Sequence, residues 1–136
     1  MIDPSLPLQK AQYDALMAAA GVPPRVYDDI PKGPGGKITA EFPFVQLGEV
    51  QVVSDADQCH DPCTAWTTTH VWSRAVGKVE AKTIMAACLL ALDAALSVQG
   101  FLTIGHFVED VRHLTDPDGV TSHSVATTRY RLSPAA

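Results

Sequence analysis

The sequence predicts an α+β domain: an antiparallel sheet of about four strands, two helices packed on one face, and a long C-terminal β-hairpin. Three observations predict it. Residues 63–72, CTAWTTTHVW, alternate strictly, with Trp66, Thr68, His70 and Trp72 on one side and Ala65, Thr67, Thr69 and Val71 on the other, the period of a strand. Residues 78–100, KVEAKTIMAACLLALDAALSVQG, gather Ala81, Ile84, Met85, Cys88, Leu89, Leu92, Ala95 and Leu96 on one arc at 100° per residue, an apolar stripe that must be buried. Residues 101–132 hold two extended runs joined by Asp116, Pro117, Asp118 and Gly119, which fit a type I turn with Pro second and Gly fourth.

The elements follow in order. Asp3 or Ser5 can cap a first helix that tolerates Pro4 or Pro7 in its opening turn, with Leu8, Gln12, Ala15, Leu16 and Ala19 on one side. Gly21, Pro23 and Pro24 end it. A short extended piece around Val26 and Tyr27 leads into a Pro- and Gly-rich loop over residues 31–40, expected to be irregular and mobile. In FPFVQLGEVQVVSD the apolar parity switches between Val45 with Leu47 and Val50 with Val52, so Gly48 is expected at a bulge that turns the strand over. Polar residues 55–62 connect it to the 63–72 strand in an antiparallel pair. The long helix, about 18 residues and roughly 27 Å, then covers the sheet. In the hairpin, pairing Thr115 with Val120 sets Arg112 opposite His123 and His106 opposite Arg129. It buries Ala126, Thr128, Tyr130 and Leu132 and leaves Thr127, Arg129 and Arg131 wet. Trp66, His70 and Trp72 are expected beneath the long helix, which adjoins them in sequence.

A chain of 136 residues, 46% of them apolar, suffices for one domain over 1–136 without a disulfide or metal to hold it. The net charge of −5 opposes a protein that grips nucleic acid by neutralising phosphates. Three cysteines are too few and oddly numbered for a secreted disulfide framework and fit a reducing compartment. The start MIDPSLPLQ lacks the basic and apolar regions of a signal peptide, and no membrane span is expected.

No constellation demands catalysis. Cys59, His60 and Cys63 are the one metal-like cluster, lacking a local fourth ligand that His70 or His106 would have to supply. GPGGK at residues 33–37 has Ile38 where a phosphate-binding loop needs Ser or Thr, and a strand where it needs a helix. Asp110, Arg112, His113 and His123 read as a solvated cross-strand charge network. Neither GxSxG nor HExxH occurs, so no catalytic residue and no cofactor are assigned. Leu90 stands out on the polar side of the long helix beside Ala86, Ala87 and Ala94, a small-residue surface suited to a neighbouring subunit.

Four collinear stretches, RVYDDIP at residues 25–31, FPFVQLGE at 42–49, HVWSRAVGKVEAKTI at 70–84 and DPDGVTSHSVATTRYR at 116–131, resemble the tail completion, or tail terminator, proteins of long-tailed phages and gene transfer agents. The Cys59 to Cys63 segment is not part of that pattern. The resemblance implies a structural virion protein, assembled in the bacterial cytoplasm, that forms a hexameric ring at the head-proximal end of the tail tube. Its expected partners are copies of itself, the major tail tube protein and the head-tail connector or stopper, with DNA passing through the lumen unbound. Candidate contact residues are Lys32 and Lys37 in the Gly-rich loop, Arg112, Asp116 and Asp118 near the hairpin tip, and Leu90. The alternative reading is a small metal- or ligand-binding domain built on Cys59, His60 and Cys63.

Overall fold

The computed structural model describes residues 1–55 and 59–135; residues 56–58 of the expected 55–62 connection lie outside this set. Helix α1 (Ser5–Ala18) is followed by β1 (Val26–Tyr27), a 3₁₀ turn (Pro34–Gly36), β2 (Phe44–Ser54), β3 (Cys63–Ser73), helix α2 (Val79–Leu92), β4 (Phe101–Thr115) and β5 (Ser122–Pro134). The architecture is α+β, with one five-stranded sheet in the order β1-β2-β3-β5-β4. The sheet is mixed and not purely antiparallel, because β1 joins β2 in parallel at Val26–Val45 and Tyr27–Gln46. The expected extended piece at Val26 and Tyr27 forms, but two residues carry too little pattern to announce a parallel pairing; the Arg25 carbonyl, accepting from the Val45 N–H at 2.9 Å, helps fix it.

Both helices lie on one face. Under them sit Cys63, Ala65, Thr67, Thr69, Val71 and Ser73 of β3 and Ser122, Ser124, Ala126, Thr128, Tyr130 and Leu132 of β5, all buried. Helix α2 contributes Ala81, Ile84, Met85, Cys88 and Leu92, and α1 contributes Leu8, Ala11, Gln12 and Leu16. Gln12, alone among these in being polar, spends its amide on Thr67 Oγ1 at 2.8 Å, the pairing a buried donor requires.

Three expectations are corrected here. Trp66, His70 and Trp72 do not lie beneath the long helix: the helices take the Thr and Ala side of β3, whose small residues admit close approach, and the aromatic side forms the opposite, half-exposed face. Helix α2 ends at Leu92, short of the expected length. The Tyr130 hydroxyl donates to the Leu92 carbonyl at 2.6 Å, and Asp93 leaves helical geometry with φ −81° and ψ 64°, so Leu96 joins the second apolar cluster from a non-helical segment and Ala95 is exposed. The loop over residues 31–40 is more ordered than its composition suggests, since Gly33 N–H donates to Lys37 O at 2.7 Å and Thr39 N–H to Pro31 O at 3.0 Å.

The bulge is where the parity switch puts it: the β2–β3 register shifts between Leu47 and Val50. A Cβ on Gly48 would stand 2.4 Å from Thr68 Oγ1 and 2.6 Å from His70 Nε2, so both side chains would have to shift to admit it. Gly48→Ala is expected to cost about 1–3 kcal/mol, measurable as a lowered urea midpoint; an unchanged midpoint would show that the bulge absorbs a methyl group.

Candidate functional site

The face of the sheet that the helices leave open carries a row of rings crossing four strands. Tyr27, Phe44, Trp72 and His123 follow one another on β1, β2, β3 and β5, with centroid distances of 5.8, 6.5 and 3.7 Å. The last contact is a near-parallel stack at 10°. Trp72 fixes its indole by donating Nε1–H to Gln46 Oε1 at 3.2 Å. Phe42 tilts against Phe44 at 4.9 Å, and the Arg74 guanidinium lies 4.1 Å above the Phe42 ring, a cation held on an aromatic face.

His70 Nδ1 and His123 Nε2 stand 2.7 Å apart, close enough that one ring must carry the shared proton and the other accept it. Burial, then the neighbouring His70 and Arg112, push His123 down to about 4. Burial also lowers His70, against the pull of Glu49. Asp116 Oδ1 faces His123 Nδ1 at 3.9 Å. A histidine whose folded pKa is depressed stabilises the fold fully above its unfolded value of 6.5, and that contribution is lost as pH falls towards 4, because the unfolded chain then binds the proton that the fold refuses. Stability is therefore expected to fall between pH 6.5 and 4, by at most about 1.4 kcal/mol per pH unit for one proton. Urea titrations over this window should show a flatter profile for His123→Phe than for the parent chain; identical slopes would remove the pair from the account.

Towards the other end of the sheet, Trp66 and Arg129 are directly paired, as are Arg129 and Phe107. The Arg129 guanidinium sits 4.8 Å over the Phe107 ring and 3.2 Å from Glu109. Arg131 reaches Asp55 at 3.2 Å. Cations and carboxylates thus interleave on this face. A shallow groove of about 450 Å³ runs along it, lined by Glu49, Val50, Gln51, Trp66, Thr68 and Thr127.

The residues singled out from sequence fall in three places. Arg112, Asp116 and Asp118 lie at the hairpin end. The predicted Asp116–Gly119 turn forms, Gly119 N–H donating to Asp116 O at 2.9 Å. The pairing beyond it differs from expectation: Thr115 meets Ser122, Arg112 meets Val125, and His106 meets Tyr130. Asp118 causes the shift at the tip by accepting from Val120 N–H, Thr121 N–H and Thr121 Oγ1, which draws Val120 and Thr121 into the loop and holds the Asp118 carboxyl down at about 2. Two further register shifts, at Thr103/Gly105 and Val108/Asp110, realign the rest. Lys32 and Lys37 are exposed on the self-bonded loop before β2. Leu90 is 85% exposed on α2, on the helical side and away from the ring row. Arg74 was not legible as a site residue, yet it ties the start of β2 to the hairpin tip, its Nε–H donating to Thr121 Oγ1 at 3.3 Å.

Cys59 is exposed whereas Cys63 is buried, packed with Leu8, Ala65 and Leu132. Burial, followed by Asp55, Asp61 and Asp3, raises the Cys63 thiol pKa, opposing the thiolate a metal needs. Among the described residues no three His, Cys, Asp or Glu side chains converge as a metal site, and none of the described helices is long and apolar enough to cross a membrane.

A small sheet with one face roofed by helices and the other paved with rings is the frame of this chain, and comparison by sequence places it in a class of virion assembly subunit, the phage-type tail completion proteins. The chain belongs to the family of tail completion protein gp17, whose model matches residues 11–133. A chain of the virion of a native gene transfer agent particle is similar in fold at 24% identity, with 98% of this chain and 99% of that one covered and a TM-score of 0.83. The bacteriophage SPP1 gp17 protein is similar at 25% identity, with 93% and 88% covered and a TM-score of 0.56. No curated protein matches the chain.

Proposed function

We propose that this chain is a structural virion subunit that forms a hexameric ring at the head-proximal end of a tail tube, stops tube growth and joins the tail to the head connector. It catalyses no reaction. The observation that carries this reading is the family match over residues 11–133, supported by end-to-end similarity to a chain of a gene transfer agent virion. The net charge of −5 favours a lumen through which duplex DNA slides without adhering, because like charge repels phosphate. A ring whose lumen is lined mainly by Lys and Arg would contradict that part.

The test is deletion of the chain from a particle-producing cell. Tails of irregular length and filled heads without tails are expected by electron microscopy; joined particles with tails of normal length would sink the proposal.

A further inference from the structure

The sheet has two edges, and they are unequal. On one side β1 covers β2 at Val45 and Gln46, while residues 49–54 have no outer strand partner among the described residues. On the other side β4 pairs only with β5 among the described residues, which leave its outer edge unpaired over its length. Residues 101–108 of that edge contain no Lys, Arg, Asp, Glu or Pro, the residues with which proteins commonly protect free edges. They expose Leu102 by 59%, Ile104 by 52% and Phe107 by 52%, and Val53 on the β2 side is 43% exposed.

Two features point to a second copy as the occupant. First, β2, β3, β5 and β4 form an antiparallel run of four. With an even number of alternating strands, a copy generated by rotation about an axis along the strands presents a β2 that is antiparallel to the first copy's β4, the better-bonded pairing. Second, the levels agree: Val53, Thr64, Arg131 and Gly105 lie in one row across the sheet, so level pairing sets Val53 of the next copy opposite Gly105, next to the bulged Ile104. The half of β2 that β1 leaves open meets the half of β4 that exposes Leu102, Ile104 and Phe107, beside His106, which is held against Asp93 at 2.7 Å.

We infer that residues 101–108 of β4 pair with residues 49–54 of β2 in a second copy, joining copies head to tail through one continuous sheet. This interface is heterologous, as a closed ring requires; it deepens the ring reading and rests on it. The register shifts at Thr103/Gly105 and Val108/Asp110 bend β4, which a sheet closing on itself needs.

Ile104 offers a clean test because it has no partner in β5, so changing it spares the internal ladder. In particles carrying Cys59→Ser, Val53→Cys and Ile104→Cys together, mild oxidation is expected to give a ladder of covalent multimers of this chain, while either cysteine alone gives none. Ile104→Lys should leave the thermal midpoint of the purified chain unchanged and lower its incorporation into particles at least tenfold. If the chain is present in several copies per particle but the double variant does not cross-link and Ile104→Lys incorporates normally, the edge pairing is wrong and the ring stands. If the parent chain is present singly, the ring reading itself fails.

Discussion

Tyr130→Ala is expected to leave the chain largely unfolded. Tyr130 is wholly buried, in the cluster with Leu8, Ala11, Cys63, Ala65, Val98, Phe101 and Leu132, and its hydroxyl secures the last carbonyl of α2. Emptying a large aromatic site costs about 3–5 kcal/mol. The lost hydrogen bond strands the Leu92 carbonyl and adds to that, against a total stability of about 5–15 kcal/mol for a domain. Tyr130→Phe separates the contributions: it keeps the ring and removes the donor, for an expected loss of about 1–3 kcal/mol. Urea unfolding followed by tryptophan fluorescence measures both. Equal losses in the two variants would show that the hydroxyl, not the ring, holds this cluster together.

Deletion of residues 32–37 is expected to leave the fold intact and reduce joined particles by at least tenfold. The cut joins Pro31 to Ile38, and these ends start close to one another because Thr39 N–H bonds to Pro31 O at 3.0 Å. The removed segment contributes no buried residue. What it takes away is two exposed lysines on a self-bonded loop, the candidate residues, under the proposed function, for contact with tube or connector. Counting joined heads and tails, with the thermal midpoint of the purified variant as the control, decides the matter. Normal joining would reject a docking role for Lys32 and Lys37.

Legibility from sequence divided along physical lines. The alternation in β3, the apolar arc of α2, the parity switch at Gly48 and the Asp116–Gly119 turn are local patterns, and each appears in the structure. What depended on tertiary choice was not readable. Both faces of β3 are acceptable to a helix by composition. Thr67, Thr69 and Val71 were chosen over Trp66, His70 and Trp72 because short side chains let helices approach. The hairpin register could not be counted from turn length, since the Asp118 carboxylate recruits Val120 and Thr121 into the loop. The extended piece at Val26 and Tyr27 is legible, but its parallel pairing depends on β2. The His70–Trp72–His123 stack had a partial signal, as alternation put His70 and Trp72 on one side, but the assumed register moved His123 away from them.

The strand order also bears on how the chain is made. Strand β5 leaves the ribosome after β3 and β4 and occupies a place between them, so neither neighbour on its own can complete the sheet. Until β5 emerges, a nascent chain holds a three-stranded sheet with an open β3 edge and an unpaired β4, a state exposed to mispairing. The sheet therefore closes only once β5 has been made, which keeps chains that still lack it from being built into a particle.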